Sequence, residues 1–193
     1  MIHPGSVRLL FCSSFRFSKG ITLVEMVAVI AIVAITSSIA LPGFDHILSS
    51  NQQTTSINRF STSLAQARYY AISYYSSVVL CPSSNLTDCT GGYDWQNGYI
   101  TFEDDDMDRQ RDPNEKIIAV TQKQPNAIQI QTSTGRKKIT FHPSGGSLGS
   151  NATVKVCSKI SEIPGKALIL SNTGRARLAK KLPNGEPVTC NSG

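Results

Sequence analysis

Four basic residues close to the end of the chain form a pattern that could bind an anion. Arg175 and Arg177 are separated by one residue and are followed by Lys180 and Lys181. Side chains alternate between the two faces of a strand, so the two arginines would share a face with their Cα atoms roughly 7 Å apart. Guanidinium groups at that spacing suit the phosphates of a nucleic-acid backbone. The pattern predicts sequence-tolerant, salt-sensitive nucleic-acid binding, with an edge strand kept soluble by its charges as the alternative.

The preceding residues predict that this pattern lies in a hairpin. An apolar segment, 167–171, leads into Asn172-Thr173-Gly174, which is typical of a turn. Ala176 and Leu178 alternate with the arginines and are expected to face the core. Residues 136–193 carry ten basic and two acidic residues, a net charge of +8. The other basic residues of this block would widen the patch: Arg136, Lys137, Lys138, Lys155, Lys159 and Lys166.

A cluster of carboxylates in the middle of the chain has the spacing of a calcium-binding loop. Asp104, Asp106, Asp108, Asp112 and Glu115 occupy positions 1, 3, 5, 9 and 12 of that pattern. Position 6 normally requires glycine for a sharp turn, and here it is Arg109. The flanking segments also predict strands, whereas a calcium loop of this class lies between helices. We therefore expect a solvated hairpin loop neutralised by Arg109 and Arg111, with calcium binding as the alternative.

The remaining residues do not suggest an enzyme. His3, His46 and His142 are scattered, and His142 precedes Pro143, where a structural role is expected. No nucleophile, phosphate-loop, dinucleotide or zinc-protease motif occurs. We expect no catalytic residue, no cofactor and no dedicated metal site.

The cysteines predict two disulfides. Five are present, and four remain if the first twenty residues are removed: Cys81, Cys89, Cys157 and Cys190. An even number after a membrane signal fits an oxidising compartment, with four buried free thiols as the alternative. Of the three pairings, we favour Cys81–Cys89, which closes a short loop, and Cys157–Cys190, which ties the chain end to an earlier strand.

The elements that would position these residues begin with an apolar segment near the start of the chain. Ile21 to Leu41 contains one charged residue, Glu25, and would span about 32 Å as a helix, enough for a bilayer core. The basic, acid-free residues before it predict that this end stays cytoplasmic and that the rest is exported. A lone carboxylate in hydrocarbon is costly, so Glu25 is expected to have a functional partner.

The helical pattern continues past the apolar segment. An apolar stripe at helical spacing predicts one helix over about 21–75, although the polar stretch 51–56 interrupts the stripe. Its members are Phe44, Ile47, Leu48, Ile57, Phe60, Leu64, Ala67, Ala71 and Ile72. Pro42 removes a backbone donor and is expected to kink or locally melt this helix. Tyr69, Tyr70, Tyr74 and Tyr75 are expected in the core between helix and sheet, with a nucleic-acid stacking platform as the alternative.

Eight short segments after residue 75 predict strands separated by Gly, Pro and Asn turns. They are 77–80, 95–103, 117–120, 128–131, 138–141, 154–157, 167–170 and 175–178. One long helix followed by short strands indicates an α+β fold with an antiparallel sheet.

At the start of the apolar segment the sequence resembles the class III signal of type IV prepilins and pseudopilins. The residues that carry the resemblance are Lys19-Gly20-Ile21-Thr22-Leu23-Val24-Glu25 and, at mature position 22, Pro42. The resemblance implies that a prepilin peptidase cleaves after Gly20 and that Ile21, where the family usually has Phe, becomes an N-methylated terminus. After cleavage, Glu25 of one subunit could pair with the free amine of a neighbour and compensate both buried charges. Glu25 and Pro42 are therefore the expected assembly residues.

Three further motifs extend the resemblance to the FimT/GspH branch of minor pilins and pseudopilins. They are Trp95-x-x-Gly98-Tyr99-Ile100-x-Phe102-x-Asp104, Phe141-His142-Pro143-Ser144-Gly145 and Gly174-Arg175-Ala176-Arg177. The last resembles the GRxR motif of FimT-type proteins, which implies binding of double-stranded DNA during natural transformation. The expected DNA-binding residues are Gly174, Arg175, Arg177, Lys180 and Lys181.

The resemblance implies a type IV pilin-like fold with four parts. These are a cleaved leader over 1–20, a transmembrane and assembly helix over 21–42, its amphipathic continuation over 43–75, and a periplasmic β-rich domain over 76–193. The expected partners are other pilins, DNA, the prepilin peptidase and the inner membrane. The chain is expected to cross that membrane once and then to join a cell-surface pilus. The alternative is a GspH-like pseudopilin, a structural tip subunit of a type II secretion pseudopilus with no DNA role.

Overall fold

A computed structural model describes residues 20–160 and 162–190, so residues 1–19 of the expected leader lie outside the described part of the chain. The described elements, in chain order, are α1 (Leu23–Tyr74), β1 (Val78–Pro82), β2 (Tyr99–Glu103), β3 (Ile117–Thr121), β4 (Ile128–Thr132), β5 (Ile139–Phe141), β6 (Ala152–Ser158), β7 (Lys166–Leu170) and β8 (Ala176–Ala179). Every predicted strand is present. The α+β prediction is confirmed.

Both ends of α1 follow from local hydrogen bonds. At its start, the Thr22 Oγ1 accepts the N–H of Glu25 at 3.2 Å, which is one half of a capping box. At its end, Tyr75 adopts a φ of +54° and the Ser76 N–H donates to the Ala71 carbonyl at 3.2 Å. That 6→1 bond is typical of a Schellman motif, and here a tyrosine takes the left-handed position that glycine usually occupies.

The chain divides into two units, residues 1–41 and 42–193. In the first, the large apolar side chains of α1 that the structure describes are exposed, from Leu23 to Ile35. No helix in the described part of the chain is long and apolar enough to cross a membrane. The helix continues through Pro42, so the expected local melting at this residue is not observed.

In the second unit, one face of α1 packs into the core. Ile57, Phe60, Leu64, Ala67 and Ala71 are buried, as the apolar stripe predicts. The polar stretch does not interrupt this face, because Ser49, Gln53 and Ser56 are also buried. The Gln53 Nε2 donates to the carbonyls of Val156 and Pro164, both at 3.0 Å. A buried amide is therefore tolerated where the sequence pattern predicts a gap.

The strands form two antiparallel sheets, where the sequence analysis expects one. Their orders are β3-β2-β1-β5 and β4-β6-β7-β8. Alternate residues of both sheets join the buried face of α1 in one core cluster; those from the sheets include Val78, Leu80, Ile130, Ile139, Val154 and Leu168. Period-two alternation thus assigned the inward residues without revealing that they belong to separate sheets.

Three of the four tyrosines near the end of α1 lie outside the core. Tyr69, Tyr74 and Tyr75 are exposed, which contradicts the expected burial between helix and sheet. Tyr70 is partly buried, stacks on Tyr74 with ring centroids 4.3 Å apart, and donates its hydroxyl to Glu103 at 2.9 Å. Ala71 is the last buried residue of α1, so Tyr74 and Tyr75 lie beyond the core contacts, and Tyr69 lies on the exposed side of the helix.

Two disulfides are present, in the pairing that the sequence analysis favours. Cys81 and Cys89 have Cα atoms 5.5 Å apart and close the loop after β1. Cys157 and Cys190 have Cα atoms 6.0 Å apart and hold the end of the chain on β6. Val188 is buried in a small cluster with Cys157 and Ala167. The second disulfide therefore covers one face of β6 and β7 with the C-terminal segment.

Replacement of Phe60 by alanine should destabilise the second unit strongly. Phe60 is fully buried, and its ring centroid lies 5.3 Å from that of Trp95 and 5.1 Å from that of Tyr99. Removing such a ring costs about 3–5 kcal/mol of unfolding free energy. Urea unfolding measures the loss, with Tyr69→Ala, an exposed aromatic on the same helix, as the control within about 0.5 kcal/mol of wild type. A similar loss in both variants would contradict this core assignment.

Candidate nucleic-acid interface

The hairpin of β7 and β8 carries the arginine pair at a free edge of the second sheet. β8 pairs with β7 alone, and Ile169 lies opposite Arg177. The turn is closed by the Ser171 N–H on the Arg175 carbonyl at 3.0 Å and by the Gly174 N–H on the Ser171 carbonyl at 2.9 Å. Both arginine side chains are exposed. The predicted hairpin is therefore present, with both cations accessible.

The residues that alternate with the arginines are not in the core, contrary to expectation. Ala176 and Leu178 are exposed, Leu178 by 58%. They lie opposite Leu170 and Leu168, which are buried, so they share the inward-facing side of the sheet. The core cluster ends at β7 and does not extend to the edge strand. Alternation assigned the face of these residues correctly but could not tell that this face is uncovered.

The outward face of the second sheet continues the basic surface from β8 to β6. Strand register places Arg177 beside Ile169, and Ile169 beside Thr153 of β6. Lys155 follows Thr153 by two residues and therefore projects from the same face. Strand pairing thus brings Lys155 onto the face of Arg177, although 22 residues separate them in the chain.

Lys159, Lys180 and Lys181 lie at the far end of this face. Lys159 and Lys180 line an open cleft beside the Cys157–Cys190 disulfide. Lys181 is exposed and its backbone forms an isolated bridge with Pro187. The lysines that the sequence places after β8 are therefore accessible, but they lie along the C-terminal segment and not in the turn.

The other predicted patch residues make contacts elsewhere. The Arg136 Nη2 donates to the Asn151 side chain at 3.0 Å, and the Lys166 Nζ donates to Thr54 of α1 at 2.9 Å. Lys137 lies over the Tyr93 ring, 5.6 Å from its centroid. Lys138 donates to the Arg109 carbonyl in the acidic loop. The basic C-terminal block is therefore split between several surfaces.

A close backbone contact fixes the turn that precedes the arginines. Gly174 is buried with a φ of +75°, and a Cβ added to it would lie under 3.0 Å from the Gly145 carbonyl oxygen. Gly145 in turn has a φ of +75°, and a Cβ there would clash with the Ile72 side chain of α1. Both glycines suit their backbone conformation, and Gly174 is also required by the backbone packed against it, whereas the atoms nearest to a Cβ at Gly145 belong to the flexible Ile72 side chain. Gly174 therefore positions the turn rather than offering a surface for DNA.

Two further residues, which the sequence analysis did not single out, hold this contact. The Arg68 Nε of α1 donates to the Gly145 carbonyl at 2.8 Å. The Ser147 N–H donates to the Asn172 carbonyl at 2.9 Å, and its Oγ donates to the Ser171 carbonyl at 2.7 Å. One signal in the sequence is that Ser147, Ser171 and Asn172 lie between two glycine motifs, one ending at Gly145 and the other starting at Gly174. Nothing in it indicates that the motifs touch.

The acidic loop is more ordered than a solvated hairpin loop. Asp104 and Glu115 are buried, and burial raises the pKa of both carboxyl groups. The Asp104 carboxylate accepts the Arg109 N–H at 3.1 Å, and Glu115 accepts the N–H groups of Asp105 and Asp112 at 3.1 and 2.8 Å. Residues 105–110 and 112–114 are exposed, as expected for a solvated loop, but the two buried carboxylates at its ends organise it from inside.

The sixth position of the loop adopts the conformation that the missing glycine would provide. Arg109 has a φ of +64°. Carboxylate oxygens of Asp104, Asp106 and Asp108 lie within 4.8 Å of one another. In the described residues, no arginine side chain hydrogen-bonds a carboxylate of the loop; Arg111 instead donates to the Asp112 carbonyl. Calcium binding to this loop stays a prediction.

The expected cleavage and assembly residues lie at the start of the described chain. Gly20, Ile21 and Glu25 are exposed, Ile21 by 69%. Glu25 lies in the first turn of α1, where the helix dipole favours a negative charge. The positive end of the helix dipole therefore stabilises the Glu25 carboxylate within its own chain.

Comparisons with known proteins identify the family and the fold to which this chain is similar. The family model for the type II transport protein GspH matches residues 56–174, ending at the glycine before the arginine pair. The type IV minor pilin FimU of Pseudomonas aeruginosa has a similar fold, with a TM-score of 0.52, 16% sequence identity, and coverage of 71% of this chain and 92% of FimU. The minor pseudopilin EpsH from the Type 2 Secretion System of Vibrio cholerae aligns with a TM-score of 0.47 at 15% identity, over 66% of this chain and 96% of EpsH. No curated protein matches the sequence.

Gly174→Ala should destabilise the turn far more than Gly185→Ala. Both glycines have positive φ values, but a Cβ at Gly185 meets nothing within 4 Å, whereas one at Gly174 meets the Gly145 backbone. Backbone strain alone costs about 1 kcal/mol, and overpacking adds about 1–3 kcal/mol. Thermal unfolding measures both variants. Equal losses of melting temperature would show that the Gly145–Gly174 contact is not tight.

Proposed function

Because the chain belongs to the GspH family of type II transport proteins, we propose that it is a minor pilin that binds double-stranded DNA through its last hairpin for uptake in natural transformation. The observation that carries the proposal is the exposed Arg175–Arg177 pair on a rigid turn. Within the described residues, neither guanidinium hydrogen-bonds a carboxylate. Both are thus available to an anionic partner.

The accessible cations fit a phosphate backbone better than a base-reading site. Arg177, Lys155 and the Lys159–Lys180 cleft follow one face and its end, so a negatively charged strand could contact several of them in succession. Such contacts position a duplex without reading its sequence. They weaken at high salt, because the free energy gained by releasing counterions from the DNA becomes smaller.

Charge distribution supports the same surface. Residues 21–135 carry six basic and eleven acidic residues, a net charge of −5, against +8 for residues 136–193. The acidic loop follows β2 of the first sheet, and the arginine pair belongs to the second. A duplex would be attracted to one sheet and repelled by the loop of the other, which orients it on the protein.

Assembly with other pilins is the function that family membership implies for α1. We propose that a prepilin peptidase cleaves after Gly20, that Ile21 becomes methylated, and that Glu25 then pairs with the amine of a neighbouring subunit. The exposed apolar residues around Glu25 support the proposal, because they need either lipid or other helices to cover them. The chain would be held in the inner membrane first, with residues 76–193 in the periplasm, and then join a filament at the cell surface.

A pseudopilin of a type II secretion system is the second candidate. The family match favours it, because the matched family is that of the type II transport protein GspH and the match, over residues 56–174, ends before the arginines. In that case the hairpin would contact other pseudopilins and would not bind DNA. A direct DNA-binding measurement separates the two candidates.

The variant with Arg175→Ala and Arg177→Ala should lose retardation of a non-specific duplex in a mobility-shift assay. Losing two phosphate contacts should also lower the slope of log K against log salt by about 2. The matched control is Arg59→Ala with Lys116→Ala, which removes one exposed cation from α1 and one directly before β3 of the first sheet and should bind as wild type. Undiminished binding by the hairpin variant, with its fold intact, would refute the DNA assignment.

Glu25→Ala should leave insertion and cleavage intact but reduce assembly into filaments. Without the carboxylate, the free amine of the neighbouring subunit has no partner in an apolar setting. Immunoblots of membranes and of sheared filaments measure the two steps separately. Thr22→Ala, which removes the Oγ1 that accepts the Glu25 N–H, tests whether the helix cap matters instead. Normal assembly of Glu25→Ala would overturn the pairing argument.

A further inference from the structure

Arg68 of α1 lies against the turn that carries the arginine pair. Its Nε is 3.1 Å from the position that a Cβ of Gly174 would occupy and 3.3 Å from that of a Gly145 Cβ. The guanidinium therefore occupies space that a side chain at either glycine would take. Arg68 and Arg175 are 107 residues apart in the chain, and Gly174, which the Arg68 side chain approaches, is the residue directly before Arg175.

Arg68 uses a single donor in this contact. Its Nε donates to the Gly145 carbonyl at 2.8 Å, and within residues 20–160 and 162–190 neither Nη atom has a hydrogen-bond partner. The side chain is half-buried, so the guanidinium is held in place while part of it reaches the surface. An arginine anchored through Nε presents its two Nη groups as a fork, the geometry that takes two oxygens of a phosphate.

We propose that Arg68 is a third phosphate-binding residue of the hairpin interface, so that α1 and the turn together bind one phosphodiester segment. The inference rests on the proposed DNA-binding function. Gly174 then has a second role: without a side chain, it lets a guanidinium from the helix come next to Arg175. Gly145 supplies the carbonyl that orients Arg68, which links two of the sequence motifs to one ligand.

The alternative is that Arg68 only holds the loop that contains Gly145, between β5 and β6, against α1. Three variants of the full-length chain separate the two roles. Arg68→Gln removes the charge but retains an amide that can donate to the Gly145 carbonyl. Arg68→Lys retains the charge but loses the planar Nε donor. Arg59→Gln removes a charge from α1 on the side facing β3 and serves as the control.

Binding to a 20-base-pair duplex is measured at several salt concentrations, with melting temperatures recorded for each variant. Arg68→Gln should weaken binding about 5- to 10-fold and lower the salt slope by about 1, as expected for one lost phosphate contact. Arg68→Lys should retain most of the wild-type slope, and Arg59→Gln should equal wild type. In the unmodified protein, the guanidinium NMR signals of Arg68 should shift on addition of the duplex, whereas those of Arg59 should not.

Two results would overturn the role of Arg68 alone: wild-type binding by Arg68→Gln, or equal weakening by the Gln and Lys variants with an unchanged salt slope. The second result would assign Arg68 to the structure of the loop. If either variant does not fold, the unmodified protein decides. Guanidinium NMR signals of Arg68 that do not shift on addition of the duplex would likewise assign Arg68 to the structure of the loop. Wild-type binding by the Arg175→Ala and Arg177→Ala variant would instead reject the proposed function, and this inference with it.

Discussion

Packing of one face of α1 against two sheets is the constraint on which the rest of the globular unit depends. The inward faces of both sheets share a single core cluster with Ile57, Phe60, Leu64, Ala67 and Ala71. Neither four-stranded sheet has another described helix to cover its apolar face. A sheet must bury its apolar face against another element to be stable in water. The helix therefore fixes where each sheet lies and, through Arg68, where the last hairpin turn is held.

The same arrangement separates the charges of the molecule. The acidic loop extends from the first sheet, and the arginine pair and its neighbouring lysines lie on the second. The loop is stabilised by backbone hydrogen bonds to the Asp104 and Glu115 carboxylates, and of the described residues in the basic block Lys138 alone donates a hydrogen bond to it. The basic surface consequently keeps its charge for an external partner, which is the physical basis of the DNA-binding proposal.

Much of the fold could be predicted because its signals are local. Alternation located the strands, and helical spacing located Phe60 and Leu64 on the buried face of α1. The predictions that failed concern what covers a face. Leu178 has the spacing of an inward residue but lies on an edge strand, and Tyr74 is the last residue of α1, beyond the residues of that helix that are buried in the core. Gln53 has a polar side chain, yet it lies in the interior, where its Nε2 donates to two backbone carbonyls and its Oε1 has no partner among the described residues.

The sequence by itself determined the elements and the arginine pair, because each depends on spacing along a short stretch of chain, and it favoured the disulfide pairing that the structure shows. Only the tertiary structure decided that Gly145 and Gly174 touch, that Arg68 lies beside both, and that Lys155 joins the face of Arg177 while Lys166 and Lys138 leave the patch. The physical reason is that these contacts join residues far apart in the chain. Strand register and close backbone packing bring them together, and neither leaves a periodic signal in the sequence.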